Sequence, residues 1–179
     1  PGHEADDIIA TLARKGNEAG LDVTIFTNDK DFMQLLRPGL SIFDWLKGRY
    51  LTHDDCLAKF GVAPHLVPHV QALWGDAIDN IPGVPGVGTV NGRNLIQRWG
   101  SLEAALEGLA ANCTAYGCTP QLRAAILANA EAARLSLQLA TLYDDADGDV
   151  PEIEALRANA VDVEVLQEFL EEMQFVSLK

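Results

Sequence analysis

The chain has 179 residues, of which 48% are hydrophobic and 22% are charged, and this composition excludes an intrinsically disordered protein. The 13 Lys and Arg against 26 Asp and Glu give a formal net charge of −13, which disfavours a nucleic-acid-binding protein with one broad basic surface. No apolar run reaches the roughly 20 residues of a membrane helix. The 3 cysteines form no Cys-x-x-Cys pair, so we expect a protein of the reducing cytoplasm with no membrane partner.

Apolar periodicity and turn residues predict alternating helices and strands in the first half of the chain. In chain order the predicted elements are a helix over 4–18, a strand over 22–27, a short helix over 31–36, a hairpin over 40–51, a helix from the N-cap Thr52 to Phe60, and a helix over 64–75. This order predicts an α/β fold with part of a parallel-type sheet and flanking helices.

The second half of the chain is predicted to be helical, with no further strand. A loop rich in Gly and Pro over 81–88 is followed by predicted helices over 91–99, from Ser101 onward, over 121–143 as one long helix, and over 162–173, with an acidic loop over 143–154.

Seven carboxylates fall at the ends of the predicted elements of the α/β part. They are Glu4, Asp6 and Asp7 at the start of the first helix, Asp29 and Asp31 after the first strand, and Asp76 and Asp79 after the helix that ends at Gly75. Sites in open α/β sheets form beyond the carboxyl ends of the strands. Converging carboxylates repel one another unless cations lie between them, and oxygen ligands favour Mg²⁺ or Mn²⁺.

Each acidic group also has an ordinary structural explanation. Asp6 and Asp7 could complement the helix dipole, and Asp31 could cap the next helix. Asp76 and Asp79 could be loop residues in Asx turns. The spacing of the residues alone leaves both explanations open.

A glycine-rich hairpin over 83–88 is the second candidate site. It lacks the Gly-Lys-Ser/Thr ending of a P-loop, and its glycines are not spaced as in a dinucleotide fingerprint. A Gly-x-Gly turn before a helix can expose main-chain N–H groups to a phosphate, or it can simply be a turn that needs glycine. The candidate phosphate-binding residues are Gly83, Val84, Gly86, Val87, Gly88 and Thr89.

Three sequence blocks together resemble a known family. The blocks are Glu4-Ala5-Asp6-Asp7, Thr27-Asn28-Asp29-Lys30-Asp31 and the run from Gly75 to Gly88, GDAIDNIPGVPGVG. In this order and spacing they resemble the 5′→3′ exonuclease domain of bacterial DNA polymerase I, a relative of the flap endonucleases. The resemblance extends over nearly the whole chain and favours the metal-binding explanation for all three acidic groups.

The resemblance implies a structure-specific 5′→3′ exonuclease or flap endonuclease of DNA replication and repair. Such an enzyme hydrolyses a phosphodiester at a 5′ flap, nick or duplex end with two Mg²⁺ or Mn²⁺ ions about 4 Å apart. The seven carboxylates would hold the ions, and the hairpin would grip duplex DNA as a helix–hairpin–helix element without reading its sequence. The expected location is the cytoplasm, at the bacterial nucleoid, in a chain continuous with a polymerase.

The resemblance also implies a division of the chain into three parts. Residues 1–80 would be the carboxyl-terminal portion of the nuclease α/β core, 81–145 a helix–hairpin–helix region that binds DNA, and 146–179 an acidic linker with a terminal helix. The family's first strands and its basic arch have no counterpart in this sequence, so we expect the 179-residue chain alone to cleave DNA poorly.

The sequence departs from the family at the hairpin, where Val90 and Asn91 replace the usual Lys and Thr, and Gly92 replaces Ala. These changes affect one expected phosphate contact.

Two alternatives to a nuclease of DNA stay open. One is a non-catalytic module that binds duplex DNA and retains a vestigial acidic site. The other is a relative that cuts RNA.

Several other groups are predicted to have ordinary structural roles. His65 and His69 lack a His-Glu-x-x-His motif, so we do not expect zinc. Asp145, Asp147 and Asp149 start like an EF-hand loop, but the run lacks the Glu of position twelve and reads as a solvated linker. Lys47 and Arg49 are predicted to form a solvated hairpin tip, and three tryptophans are predicted to pack: Trp45, Trp74 and Trp99.

Overall fold

A three-stranded sheet lies at the centre of the first half of the chain in the computed structural model, which describes residues 3–112, 118–146, 148 and 150–175. Strand β1 (Val23–Phe26) pairs in parallel with β2 (Leu40–Asp44), with Val23 opposite Leu40. Strand β3 (Arg49–Leu51) pairs antiparallel with β2. The predicted α/β class is confirmed, and the hairpin adds one antiparallel strand to the parallel pair.

Helices surround this sheet and make up the second half of the chain. They are α1 (Ala5–Glu18), α2 (His53–Phe60), α3 (Val67–Trp74), α4 (Thr89–Trp99), α5 (Leu102–Ala110), α6 (Pro120–Ala128), α7 (Ala130–Ala140) and α8 (Val163–Glu172), with short 3-10 helices at Asp31–Leu35, Pro64–Leu66 and Ile153–Leu156. Among the described residues, none of these helices is long and apolar enough to span a bilayer.

Two predicted helix starts are confirmed by their hydrogen bonds. Thr52 Oγ1 accepts a hydrogen bond from Asp55 N at 3.2 Å, and Asp55 Oδ2 accepts one from Thr52 N at 2.8 Å, which completes a capping box. Ser101 Oγ accepts from Ala104 N at 3.1 Å at the start of α5. These side chains satisfy main-chain N–H groups that a helix leaves without partners, so the start of each helix is encoded locally.

The prediction of one long helix over 121–143 is wrong. The segment forms α6 and α7, separated at Asn129, whose side-chain amide donates to Ala125 O at 2.8 Å. Helix α7 ends at Ala140 because Thr141 is extended and Leu142 N donates to Gln34 Oε1 at 3.0 Å. A partner distant in sequence therefore ends the helix, and apolar periodicity contains no signal for it.

One hydrophobic core joins the sheet to the helical half. Ile42 of β2, Leu73 of α3 and Leu95 of α4 are each at most 1% exposed and belong to the same buried cluster. Trp74 and Trp99 pack against this cluster as predicted. Trp45 does not, because it follows β2 at the hairpin turn and is 57% exposed. The loop after α3 joins the same core through Val84 and Val87.

Two acidic residues hold the hairpin tip after β2. Lys47 Nζ lies 2.6 Å from Asp44 Oδ2, and the Arg49 guanidinium pairs with both carboxylate oxygens of Asp55 at 2.7 and 2.8 Å. Lys47 and Arg49 stay half exposed, which agrees with a solvated tip.

The loop between α3 and α4 closes on itself at its base. Asp76 N donates to Ile81 O at 2.9 Å, and Ile81 N donates to Asp76 O at 2.8 Å. Gly75 and Gly83 both have positive φ angles, and a Cβ atom built on Gly83 would lie 2.7 Å from Gly75 Cα. The close approach of two backbones therefore fixes the loop that carries Asp76 and Asp79.

This packing predicts unequal effects for two alanine substitutions in the same loop. We expect Gly83→Ala to destabilise the fold by more than about 3 kcal/mol, because the new methyl group meets backbone. Gly86 has a φ of +84° but open space around its Cβ position. Gly86→Ala should therefore cost only the conformational term of about 1–2 kcal/mol. Urea unfolding followed by circular dichroism measures both, and equal losses would contradict the proposed backbone contact.

Candidate metal centre and glycine hairpin

Three of the predicted carboxylates meet at one edge of the sheet. Asp31 begins the 3-10 helix that follows β1, and Asp76 and Asp79 lie in the loop that follows α3. One oxygen of each lies within 4.8 Å of the others. We call this group the Asp31–Asp76–Asp79 pocket. Among the residues that the structure describes, no other group of three or more His, Cys, Asp or Glu side chains comes this close.

The ammonium group of Lys30 lies among these three carboxylates. Lys30 Nζ is 2.9 Å from Asp76 Oδ2, 3.0 Å from Asp79 Oδ2 and 3.4 Å from Asp31 Oδ2. Burial favours the neutral amine, but the hydrogen bonds to Asp76 and Asp79 outweigh it and raise the pKa of Lys30 above its ordinary value. The pocket thus holds a positive charge at the point where its oxygens converge.

The side-chain amide of Gln71 in α3 connects two carboxylates of the pocket, Asp31 and Asp76. Its side chain is fully buried, and Nε2 donates to Asp31 Oδ1 at 2.8 Å and to Asp76 Oδ2 at 3.3 Å. Its Oε1 has no hydrogen-bond partner among the described residues. An amide turned the other way would aim oxygen at two carboxylates, so the observed orientation is the electrostatically favourable one.

The two carboxylates that Gln71 contacts differ in their acidity. Burial raises the pKa of Asp31 above its ordinary value, although the bond from Gln71 and the charge of Lys30 act against this rise. Burial also acts on Asp76, but the hydrogen bond from Lys30 and the one from Ile78 N prevail and lower the pKa of Asp76. Ile78 N donates to Asp76 Oδ1 at 3.1 Å, so Asp76 forms the Asx turn expected of a loop aspartate and joins the pocket as well.

The other four predicted carboxylates lie outside this tight group. Asp29 Oδ1 accepts from Asp31 N at 2.9 Å, which makes a second Asx turn. Asp7 accepts with both oxygens, from Glu4 N at 3.3 Å and from Tyr143 N at 3.0 Å. Glu4 is exposed at the N-terminus of α1. The local structural roles of Asp7 and Asp29 are therefore present in the molecule, beside any role as ligands.

Asp6 is repelled both by acids outside the pocket and by Asp79 of the pocket. Burial is the largest cause that raises the pKa of Asp6, and the charges of Asp29, Glu4, Asp7 and Asp79 raise it further. Repulsion of this kind is relieved by a bound cation. The donor set consists of carboxylate oxygens only and already surrounds an ammonium group, so it fits a hard divalent ion better than zinc or copper.

The glycine hairpin before α4 has fewer free main-chain N–H groups than the sequence predicts. Gly83 N donates to Ser136 Oγ at 3.1 Å, Val84 N donates to Leu73 O at 2.8 Å, and Val87 N donates to Val84 O at 3.0 Å. The fold already uses these three N–H groups, so phosphate binding by Gly83, Val84 and Val87 through them stays a prediction that the contacts of the fold do not favour. Within the described part of the chain, Gly86, Gly88 and Thr89 donate no such bond, and Gly88 is the N-cap of α4.

Other candidate sites have structural roles where the structure describes them. His69 Nδ1 accepts from Leu102 N at 3.3 Å, so this nitrogen is not free to bind zinc. Of the acidic run, Asp147 and Asp149 lie outside the described residues, as does Cys113. Cys56 and Cys118 are free thiols.

Sequence reasoning missed three residues that shape the two sites, namely Lys30, Gln71 and Ser136. Gln71 did have a signal in the sequence, because Gln71 and His69 are the two polar residues of the otherwise apolar helix VPHVQALW. For Lys30 the sequence showed only its position between Asp29 and Asp31, which does not indicate a role in the site. Ser136, buried in α7, had no signal in the sequence that would pair it with Gly83.

Family comparisons agree with these two parts of the fold. The family model described as 5′-3′ exonuclease, N-terminal resolvase-like domain, matches residues 1–61, and the one described as 5′-3′ exonuclease, C-terminal SAM fold, matches residues 62–164. The thermostable DNA polymerase I of Thermus filiformis is 41% identical over 179 residues, which cover 99% of this chain and 20% of that protein. The 5′-3′ exonuclease of Aquifex aeolicus is 35% identical over 178 residues, which cover 99% of this chain and 58% of that protein.

A solved structure has a similar fold. The T5 D15 protein, co-crystallised with metal ions, superimposes with a TM-score of 0.68 at 25% identity, over 79% of this chain and 51% of that chain. The chain thus spans less than two thirds of each of these relatives.

The charge on Asp6 generates a prediction that needs no ligand. A carboxyl group whose pKa is raised in the folded state destabilises the fold while it is ionised, above the unfolded pKa near 3.8. We expect Asp6→Asn to raise the free energy of unfolding near pH 7 in EDTA by about 0.5 kcal/mol, a value that allows for solvent screening. The gain should shrink as the pH falls through the folded-state pKa and disappear well below 3.8, where the carboxyl is protonated in both states.

Asp54→Asn is the matched control, because Asp54 occupies the first turn of α2 as Asp6 occupies that of α1. It should lose only the interaction with the helix dipole and become slightly less stable. Equal destabilisation of the two variants in urea titrations would contradict the account of Asp6.

Proposed function

The chain belongs to the 5′-3′ exonuclease family, and we propose that it carries the metal-binding acids and the DNA-gripping hairpin of a 5′ nuclease. The proposed substrate is DNA with a 5′ flap, nick or duplex end, and the proposed reaction is phosphodiester hydrolysis. The observation that supports it most is the convergence of Asp31, Asp76 and Asp79 on one cation position.

The acids present fit a site for divalent ions, and we propose Mg²⁺ or Mn²⁺ as the physiological ions. Asp31, Asp76 and Asp79 would hold one ion, and Asp6 with Asp29, Glu4 and Asp7 would surround a second. Two such ions supply activation of the attacking water and neutralisation of the leaving oxygen. The metal ions co-crystallised with the T5 D15 protein support the use of metal by this fold.

The residues around the acids would keep them in place for this reaction. Gln71 fixes Asp31 and Asp76 relative to each other, because one amide nitrogen donates to both. The paired hydrogen bonds between Asp76 and Ile81 hold the loop that carries Asp76 and Asp79. Asp29 and Asp31 are held by the turn in which Asp31 N donates to Asp29. Such preorganisation limits the ions to one geometry.

For the hairpin we propose that Gly86, Gly88 and Thr89 bind a phosphate of the duplex. Their N–H groups lie at the start of α4, where the helix dipole favours an anion. Contacts of this type position the DNA and do not read its sequence. They also allow a chain of net charge −13 to bind a polyanion at one place.

The remaining expectations about the larger protein stay proposals. We infer that residues 1–80, 81–145 and 146–179 act as the α/β core portion, the helix–hairpin–helix region and a linker towards a following polymerase. Continuity with a polymerase is supported by relatives of which this chain matches 17–20%, and a DNA substrate implies a place at the bacterial nucleoid.

A second candidate function is a non-catalytic module that binds duplex DNA. This function is favoured by the structural contacts that the acids already make. Lys30 forms an ion pair with Asp76, and main-chain N–H groups donate hydrogen bonds to Asp7 and Asp29. Divalent-dependent cleavage separates the two candidates.

Cleavage is best measured with the full-length gene product that contains this sequence, on a 5′-labelled flap. We expect Asp31→Asn and Asp76→Asn each to lower the Mg²⁺-dependent rate by at least about a hundredfold, because even outer-shell partners of metal sites cost 10–100-fold. Asp22→Asn, an exposed acid at the opposite end of β1, is the control and should keep the rate. Near-normal cleavage by folded Asp31→Asn and Asp76→Asn would favour the non-catalytic module.

The hairpin proposal is tested by Gly88→Val. Gly88 has an ordinary negative φ and open space around its Cβ position, so the side chain should leave the fold intact and obstruct an approaching phosphate. We expect fluorescence anisotropy to report weaker binding, by severalfold and equally for two unrelated duplexes. Ala58→Val, at an exposed position of α2 outside the helix–hairpin–helix region, adds branched bulk elsewhere and should not change the affinity. If Gly88→Val bound duplex DNA as tightly as the wild-type chain, the glycine hairpin would be a structural turn without a role in DNA binding.

A further inference from the structure

The feature that the proposed reaction leaves unexplained is the position of the Lys30 ammonium group. Its nitrogen lies 2.9–3.4 Å from one oxygen each of Asp31, Asp76 and Asp79, the three acids of the pocket. These oxygens are the atoms that a divalent ion would need. A cation coordinated by them would lie about 2.1–2.6 Å from each oxygen. The ammonium group and such an ion therefore compete for the same space.

We propose that Lys30 is the resident counter-cation of the Asp31–Asp76–Asp79 pocket, and that a divalent ion binds there only by displacing its ammonium group. This inference rests on the proposed metal site and adds to it the residue that sets the affinity of that site. It assigns Lys30 a role in positioning and competition, without contact to the reacting atoms.

The backbone at Lys30 permits this exchange. Lys30 has φ −68° and ψ −26°, an ordinary helical conformation just before the 3-10 helix, so leaving the pocket requires only side-chain rotations. The side chain is 20% exposed and thus already reaches the solvent boundary. A four-carbon chain with a strongly hydrated head group can turn outward without loss of packing in the core.

The charges of the pocket explain why a divalent ion would displace the Lys30 ammonium group and a monovalent ion would not. Three carboxylates and one ammonium leave a formal charge of −2 in the pocket. A monovalent ion that replaced Lys30 would gain no charge and would have to compete with a group held nearby by the chain. A divalent ion adds a second charge to the attraction, which is strong for a partly buried group. The tethered ammonium therefore makes the pocket selective for divalent ions.

Displacement can be observed on the unaltered 179-residue chain. Amine-specific labelling read by mass spectrometry reports how accessible each lysine is, with and without Mn²⁺. We expect the labelling rate of Lys30 to rise severalfold when Mn²⁺ is added, because its nitrogen leaves three carboxylates. Lys59, exposed at the end of α2, is the internal control and should not change.

Affinity gives the second, independent readout. In Mn²⁺ titrations followed by calorimetry or electron paramagnetic resonance, we expect Lys30→Met to bind Mn²⁺ at least about tenfold more tightly than wild type. In EDTA the same variant should melt at a lower temperature, since its carboxylates lose their cation, and Mn²⁺ should reverse the difference. Lys59→Met removes an equal charge outside the pocket and should leave the Mn²⁺ affinity within about twofold.

The outcomes separate this inference from the metal site itself. If wild type binds Mn²⁺ while the labelling of Lys30 stays constant, or Lys30→Met binds no more tightly, the counter-cation role is wrong and the metal site stands. If no variant binds Mn²⁺, both are wrong. Should Lys30→Met fail to fold, Lys30→Gln and the labelling of the wild-type chain decide the question.

Discussion

Repulsion between like charges is the constraint around which this edge of the molecule is built. Two separate chain segments bring Asp31, Asp76 and Asp79 together in a partly buried place. Such a cluster is unfavourable unless a positive charge lies within it. In this fold that charge is Lys30, and the buried amide of Gln71 adds a neutral donor. The same contacts hold the three acids in one arrangement.

The helical half of the chain keeps that geometry in place through buried polar contacts. Ser136 of α7 accepts from Gly83 N at the base of the loop that carries Asp76 and Asp79. The segment after α7 then returns over the α/β part, where Leu142 N donates to Gln34 and Ala146 N donates to Thr11. Buried donors without partners are costly, so these contacts specify one arrangement of the two halves. The arrangement of the Asp31–Asp76–Asp79 pocket therefore depends on residues about a hundred positions away in sequence.

Local signals in the sequence predicted most of the fold and several of the site residues. The caps at Thr52 and Ser101, the strand after Asp22 and the glycine turn before α4 are encoded by neighbouring residues, and each was found in the structure. The positions of Asp31, Asp76 and Asp79 after a strand and after a helix left an ordinary structural explanation open, and the family resemblance favoured the shared site in which the structure brings them together. The association of these acids with Glu4, Asp6, Asp7 and Asp29 as ligands remains a prediction.

What the sequence did not predict depends on contacts distant in the chain. The break at Asn129 and the end of α7 at Ala140 reflect a side-chain bond and a bond to Gln34, neither of which alters apolar periodicity. Lys30 and Gln71 became site residues only when the turn after β1 met α3. A lysine between two aspartates and an amide in a helix have many ordinary explanations, so only the assembled fold could distinguish among them.

The glycine hairpin divides its main-chain N–H groups between those that the fold uses and those that we propose for phosphate binding. Its first N–H groups, at Gly83 and Val84, bond to Ser136 and Leu73 and attach the loop to the core. The N–H groups that follow, at Gly86, Gly88 and Thr89, lie at the exposed start of α4. A rigid attachment holds these donors in a fixed direction, so little entropy is lost when an anion binds. In a chain with net charge −13, long-range attraction to DNA is unfavourable, so the proposed binding of DNA would depend on such short-range, oriented donors. Divalent ions bound in the acidic pocket would have a second role, because they would reduce the repulsion that a phosphate meets there.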